Sequence, residues 1–392
     1  MKYWRGYICA AIFAALTVAL TVFADGHTAL IDMIYPYATR LIQTSLAEWT
    51  AGVEFCLWQL IAIVLVVVAL ASLVATVILR WNFFQWLGWA AAVCSFVFML
   101  HTGVYGLNSN AGPISDDIRL EEADFTVTEL ADATSYYLEI ANELSTQVPR
   151  NADGTPNYPD FDSLAAMAGE GFQTLTNREY LAVFAGSTLP VKELAWADLY
   201  TSMGITGVTM PLTGEAAVNP QTPVVSMPFT MCHEMSHRMC IAIERDANMA
   251  AFLACDAHSD PIFRYSGYFM AFRYCYNALV STGTSASWAA ASEIYASICP
   301  QMKQDLDDYQ EFFAQNIDEQ ASQVGDAVND TYIKVSGDEN GTVSYDLVSD
   351  LLVSWYIQEI YLPAHQEEII PFDPTDRTQV DLREGLTVED KE

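Results

Sequence analysis

Basic residues are scarce in this chain: 17 Lys and Arg stand against 49 Asp and Glu, a formal net charge of -32. Affinity for nucleic acid is built on cations that neutralise phosphates, so the deficit argues against a nucleic-acid partner. The deficit is uneven. Residues 1–110 hold four basic residues, Lys2, Arg5, Arg40 and Arg80, against four acidic ones, Asp25, Asp32, Glu48 and Glu54. The whole negative excess therefore lies downstream, where a solvated acidic face is the commoner explanation and steering of cationic peptides the alternative. Internal repeats are absent. Histidine is rare, with only 6 in 392 residues.

Three stretches lack formal charge altogether: Tyr7 to Phe23, Trp58 to Leu79 and Phe84 to Val104. Each is near the roughly 20 residues a helix needs to cross about 30 Å of hydrocarbon. An apolar core helix could look alike, but three such runs within 110 residues predict membrane spans. Lys2 and Arg5 precede the first run and Arg80 lies between the second and third. The bias of Lys and Arg toward the cytoplasm then puts the N-terminus inside and everything after Tyr105 outside. The segment from Ala24 to Leu57 is expected to be an external loop. A basic start, an apolar stretch and small residues around Ala24 also fit a cleaved signal peptide, with the same downstream topology.

Length allows a membrane anchor over residues 1–110, a globular domain over 111–371 and an acidic tail over 372–392. The segment Ser115 to Val148 reads as mostly helical, with Leu130, Tyr137, Leu138, Ala141 and Leu144 at helical spacing. Asn151 to Asp160 is rich in Asn, Asp, Gly and Pro and reads as a loop, followed by a short helix from Phe161 to Ala168. Ile205 to Val218 mixes β-branched residues with Gly207, Pro211 and Gly214, which predicts short strands. Helices then run from Pro228 to about Ala314, with breaks at Pro261 and Ser281 to Ser287. The expected fold is a three-helix membrane anchor plus a mainly α domain carrying a short strand region before its active-site helix.

Two of the six histidines stand four residues apart in His233-Glu234-Met235-Ser236-His237. On a helix they share one face, one turn apart, where two imidazoles can bind one ion. Glu234 between them is not a ligand in such motifs; it takes a proton from the attacking water and passes it to the leaving amine, while zinc makes that water a usable nucleophile. Two incidental histidines would give the same short pattern. A catalytic site also needs a third protein ligand, and Glu244 is the choice, with Asp246, Asp256 and His258 as alternatives. On one unbroken helix Glu244 would lie about 10 Å beyond His237, so the helix must bend, although no Gly or Pro lies between them. A closed site of His233, His237, Cys240 and Cys255 is the competing arrangement.

The segment from Pro228 to Asn248, together with Arg264-Tyr265-Ser266-Gly267-Tyr268, resembles the DUF3810 family of bacterial membrane proteins. The likeness extends to the three spans, Gly106-Leu107-Asn108, the stretch from Gly204 to Asn219, and Val343-Ser344-Tyr345. It implies a membrane-bound zinc metallopeptidase with a zincin-like catalytic domain. Glu244-x-x-Ala247-Asn248 is similar to the ExxA[ND] helix of gluzincin peptidases, which implies that Glu244 is the third zinc ligand. Where the family pattern has Gly three residues after the second His, Cys240 stands here.

Tyr265 and Tyr268 are candidate oxyanion donors. Glu215 and Asn219 precede the site where related peptidases pair an extended substrate with an edge strand. Cys9, Cys56 and Cys94 lie in or beside spans. Cys232, Cys240, Cys255, Cys275 and Cys299 leave an odd number outside, and no pairing follows from sequence. The expected function is a zinc endopeptidase acting on peptides or proteins at the outer face of the lipid bilayer. The alternative is a non-catalytic interaction or sensor protein in which zinc only holds the fold.

Overall fold

Uncharged apolar runs fold as helices wherever the backbone must satisfy its own hydrogen bonds, and the first 110 residues follow that rule. The computed structural model describes residues 2–177, 181–323, 325–327 and 347–365. Val343-Ser344-Tyr345 and the acidic tail lie outside the described residues. Helices α1 (Arg5–Gly26), α3 (Leu57–Ile78) and α4 (Phe83–Val104) are each 22 residues long and apolar enough to cross a membrane. Their aliphatic side chains point outward, with Val66, Val67 and Val68 each 57% exposed on α3. Gly6 lets α1 press against α4, because a Cβ there would overlap the backbone of Gly88. Phe13 meets Phe96 further along the same pair, with ring centroids 5.2 Å apart. The turn to α4 closes at Asn82, whose side chain accepts from the Gln85 N–H at 2.9 Å.

The expected external loop is instead helix α2 (Thr28–Thr50). Its buried positions include Thr39, Arg40, Gln43 and Thr50, polar residues that a hydropathy reading assigns to solvent. Each donates to a backbone carbonyl. Arg40 Nε donates to Met239 O and its Nη1 to Ala182 O, both at 3.1 Å. Gln43 donates to Pro211 O at 3.0 Å. The helix is thus the strut on which the rest of the chain is mounted.

Beyond the spans come α5 (Ile114–Ile118), α6 (Val127–Ser145), α7 (Phe161–Met167) and α8 (Gly169–Thr176). A capping box fixes the start of α6, where Thr126 and Glu129 satisfy each other's backbone N–H groups. A small sheet follows, β1 (Lys192–Glu193), β2 (Gly207–Met210) and β3 (Glu215–Val218), in the order β1-β3-β2, with α9 (Ala197–Ser202) between the first two strands. The central strand β3 is buried throughout, and β2 runs antiparallel to it with Gly207 opposite Val218. Helices α10 (Met227–Arg238), α11 (Glu244–Asp256), α12 (Pro261–Ser281), α13 (Ser285–Ala296) and α14 (Pro300–Asn316) complete most of the domain, with α15 (Val348–Trp355) packed on α12. The break expected at Pro261 separates α11 from α12, and Pro261 is itself the first residue of α12, a position where its missing N–H costs nothing.

The sheet also holds the membrane anchor. Glu215 on β3 accepts from the backbone N–H groups of Leu57 and Trp58 at 2.8 and 2.9 Å, capping the otherwise orphaned start of α3. Lys192 neutralises the same carboxylate at 2.7 Å. The role expected for Glu215 beside the substrate therefore gives way to an anchoring one.

Candidate metal centre

Helix α10 is buried along its whole length, from Met227 to Arg238. His233 and His237 project from one face, and their Nε2 atoms lie 3.2 Å apart. The helix ends in a Schellman motif: Cys240 N–H donates to His237 O at 2.9 Å and Ile241 N–H to Ser236 O at 3.2 Å. Cys240 supplies the left-handed residue that this motif requires, at φ 71°. The bend that sequence could not locate is therefore made by a cysteine rather than by Gly or Pro.

After the turn the chain reverses, and Glu244 becomes the first residue of α11. Its Oε2 lies 3.2 Å from His233 Nε2 and 3.4 Å from His237 Nε2. Tetrahedral zinc with bonds of about 2.0–2.2 Å separates its ligand atoms by roughly 3.3–3.6 Å. The triangle of two nitrogens and one oxygen thus fits such an ion, and among the described residues these three side chains are the one group that could hold a metal.

The second imidazole is held for that role. His237 Nδ1 lies 2.8 Å from Ile241 O, and since a carbonyl only accepts, Nδ1 carries a proton and Nε2 is the ring atom that faces the centre. Burial pushes the His237 pKa down, but the Glu244 carboxylate outweighs it and lifts the value to about 9. Glu244 itself is pushed up by burial and held well below the usual carboxylate range by the two imidazoles.

Glu234 stands beside the triangle, its pKa raised by burial. Thr209 on the edge strand β2 donates to its Oε2 at 2.7 Å. Gly207 on the same strand leaves room for it, since a Cβ there would overlap the Glu234 carboxylate. The carboxylate and His233 open onto a cleft of about 650 Å3, which Gly207, Arg273, Tyr274 and Tyr309 also line. The Arg273 guanidinium lies over the Tyr309 ring, 3.8 Å from its centroid. Tyr274 donates to Asn248 Oδ1 at 3.3 Å. Asn248 is 2% exposed, and its Nδ2 finds no acceptor among the described residues.

The other candidates are placed elsewhere. Asp246 accepts from Ile114 N–H at 3.0 Å and faces Arg245. Asp256 accepts from Tyr268 OH at 2.8 Å, and His258 stacks on Phe263. Cys240 and Cys255 are buried outside the His–His–Glu group, and all eight cysteines are free thiols.

A family model described as a protein of unknown function, DUF3810, matches residues 32–353. The chain belongs to the DUF3810 family. No curated protein and no solved structure matches it.

In this DUF3810 member neither tyrosine singled out by the motif lines the cleft. Tyr265 is buried and donates to Asp305, which is paired with Arg150 at 2.7 Å. Tyr268 packs edge-on against Phe252 while its hydroxyl serves Asp256. Tyr274, six residues beyond Tyr268 on α12, is the tyrosine of that helix that reaches the cleft with His233 and Glu234. Its spacing from Tyr268 hinted at a different face, since six residues turn a helix through about 600°, or 240° net. Thr209 and Gly207 carried no signal, because a strand's relation to a helix is tertiary. Asn219 turns inward, donating to Thr201 Oγ1 at 2.8 Å, and shapes the loop after β3.

Proposed function

We propose that this DUF3810 protein is a membrane-anchored zinc metallopeptidase with a zincin-like domain, acting on peptides or proteins. The observation that carries the reading is the triangle of His233, His237 and Glu244 at zinc-ligand separations, with the Glu234 carboxylate beside it on an open cleft. His233, His237 and Glu244 would hold the ion, leaving the fourth position open as catalytic sites require. When bound, zinc supplies Lewis acidity that makes water a nucleophile at neutral pH and polarises the scissile carbonyl.

The chain's own residues do the rest. Glu234 accepts the proton of the attacking water and delivers it to the leaving amine. Burial raises its pKa, which makes it a stronger base than an ordinary carboxylate. Thr209 donates to the Glu234 carboxylate and so helps to orient it. The edge strand β2 offers backbone to an extended peptide lying in the cleft. Tyr274 and Asn248 line the cleft as a hydrogen-bonded pair, and Arg273 presents a cation held on the face of Tyr309.

The positions of Lys2, Arg5 and Arg80 support an N-terminus in the cytoplasm and a catalytic domain outside it. Metal analysis of the purified full chain tests the reading: about one zinc per chain is expected, and the Glu244→Ala variant should lose it.

A further inference from the structure

On the side of α2 away from Thr39, Gln43 and Thr50, five apolar residues are exposed: Leu30, Met33, Ile34, Tyr37 and Leu41, the last at 72%; Arg40 flanks this stripe, its guanidinium 5.5 Å from the Tyr37 ring centroid. Their spacings of three and four place them on a single stripe. Water rarely faces such a contiguous apolar stripe in a stable protein.

The position of α2 says what covers it. Gly6 meets Gly88 and Phe13 meets Phe96, so α1 and α4 run parallel. Trp86 donates to Ser72 across the short turn, so α3 runs opposite to α4. The end of α1 and the start of α3 therefore lie at the same end of the spans. Helix α2 has 23 residues, a length of about 35 Å. Residues 51–56 give seven Cα steps back to Leu57, at most about 25 Å. A helix standing along the membrane normal could not be rejoined to α3. Instead α2 lies across the end of α4: Tyr35 OH donates to Thr102 O at 2.9 Å and Thr39 Oγ1 to Asn108 Oδ1 at 3.1 Å. The globular domain takes its polar side, which leaves the apolar stripe turned to the membrane.

We propose that α2 is an interfacial helix, with Leu30, Met33, Ile34, Tyr37 and Leu41 seated at the boundary of headgroups and acyl chains in the leaflet at that end of the spans. The occupant is lipid because the stripe is continuous with two helices that enter the bilayer. The same surface continues onto the domain. Gln59, in the first turn of α3, accepts from Ala195 N–H at 3.0 Å and donates to Tyr200 OH at 3.3 Å. The segment between those two partners is thereby fixed at the depth of the leaflet edge, and its Trp196 and Leu199 are exposed there. Tryptophan favours that zone. From the edge of the stripe, beside Tyr37, Arg40 grips Met239 O, in the turn that brings Glu244 to the two histidines. Lipid contact through α2 thus fixes the height of the His–His–Glu group above the membrane.

The proposal stands whether or not the site binds zinc. It is tested on the full chain in phospholipid nanodiscs, with photoreactive p-benzoylphenylalanine placed singly at Ile34, Leu41 or Trp196, at Val67 in α3 as a lipid-facing reference, and at Glu143 as a solvent reference. Irradiation followed by mass spectrometry should give phospholipid adducts at Ile34, Leu41 and Trp196 at yields within a few-fold of Val67, and none at Glu143. Yields at Ile34 and Leu41 as low as at Glu143 would overturn it. So would cross-links from those positions to a second copy of the chain, which would make the stripe an oligomer contact.

Discussion

Gly207 on the edge strand sits so close to Glu234 on the motif helix that a single added methyl group would overlap the carboxylate. The strand and the helix are thus fitted to each other at the group proposed to move the proton. Replacing Gly207 with Ala should leave His233, His237 and Glu244 in place and displace Glu234 alone. Zinc content should stay near wild type while peptide cleavage falls by about a hundredfold or more, the usual contribution of a positioned general base. Parallel metal analysis and peptidase assays check it.

The third ligand is tested by comparing two neighbours one turn apart or less. Glu244 points at both imidazoles, whereas Asp246 is engaged by Ile114 N–H and Arg245. Glu244→Ala should abolish stoichiometric zinc in a chain that remains folded. Asp246→Ala should retain zinc and lower the melting temperature, because it strands a buried N–H at a cost of about 1–3 kcal/mol.

Cys240 occupies a left-handed position that charges a side chain roughly 1–2 kcal/mol. Cys240→Gly should be neutral or mildly stabilising, the relief of strain being set against the lost burial of the thiol. Cys240→Val, which adds a β-branch at the same φ, should be destabilising and should weaken zinc retention by loosening the turn to Glu244. Thermal unfolding of the three proteins in one detergent gives the order.

The mount between domain and membrane rests on Glu215. Its carboxylate receives two N–H groups from the start of α3 and the Lys192 ammonium. Glu215→Gln keeps one acceptor oxygen and removes the charge, so it should cost about 1–3 kcal/mol. The loss should appear as faster proteolysis near residues 51–56, read by limited digestion in membranes.

Much of this architecture is legible in the sequence, and the limits are physical. The three spans announce themselves because lipid demands uncharged runs of a set length, and the His233–His237 pair because a helix brings residues four apart together. Helix α2 is hidden because its buried side is polar: Arg40 and Gln43 serve backbone carbonyls from distant segments and Thr39 reaches the Asn108 side chain, and no local pattern records those partners. The turn at Cys240 is hidden because it uses a residue that is not Gly or Pro. The tyrosines of the Arg264 to Tyr268 motif are core residues tied to Asp305 and Asp256, while Tyr274 reaches the cleft, a distinction that depends on which neighbours pack on α12.

The account rests on Glu234 acting on substrate at a zinc centre held by its neighbours. The most direct measurement pairs zinc content with cleavage of a broad peptide library by the wild-type chain and the Glu234→Gln variant, both in membranes. The predicted result is about one zinc per chain in each and cleavage by the wild type alone. Zinc bound equally with no cleavage by either, or cleavage that survives Glu234→Gln, would contradict it.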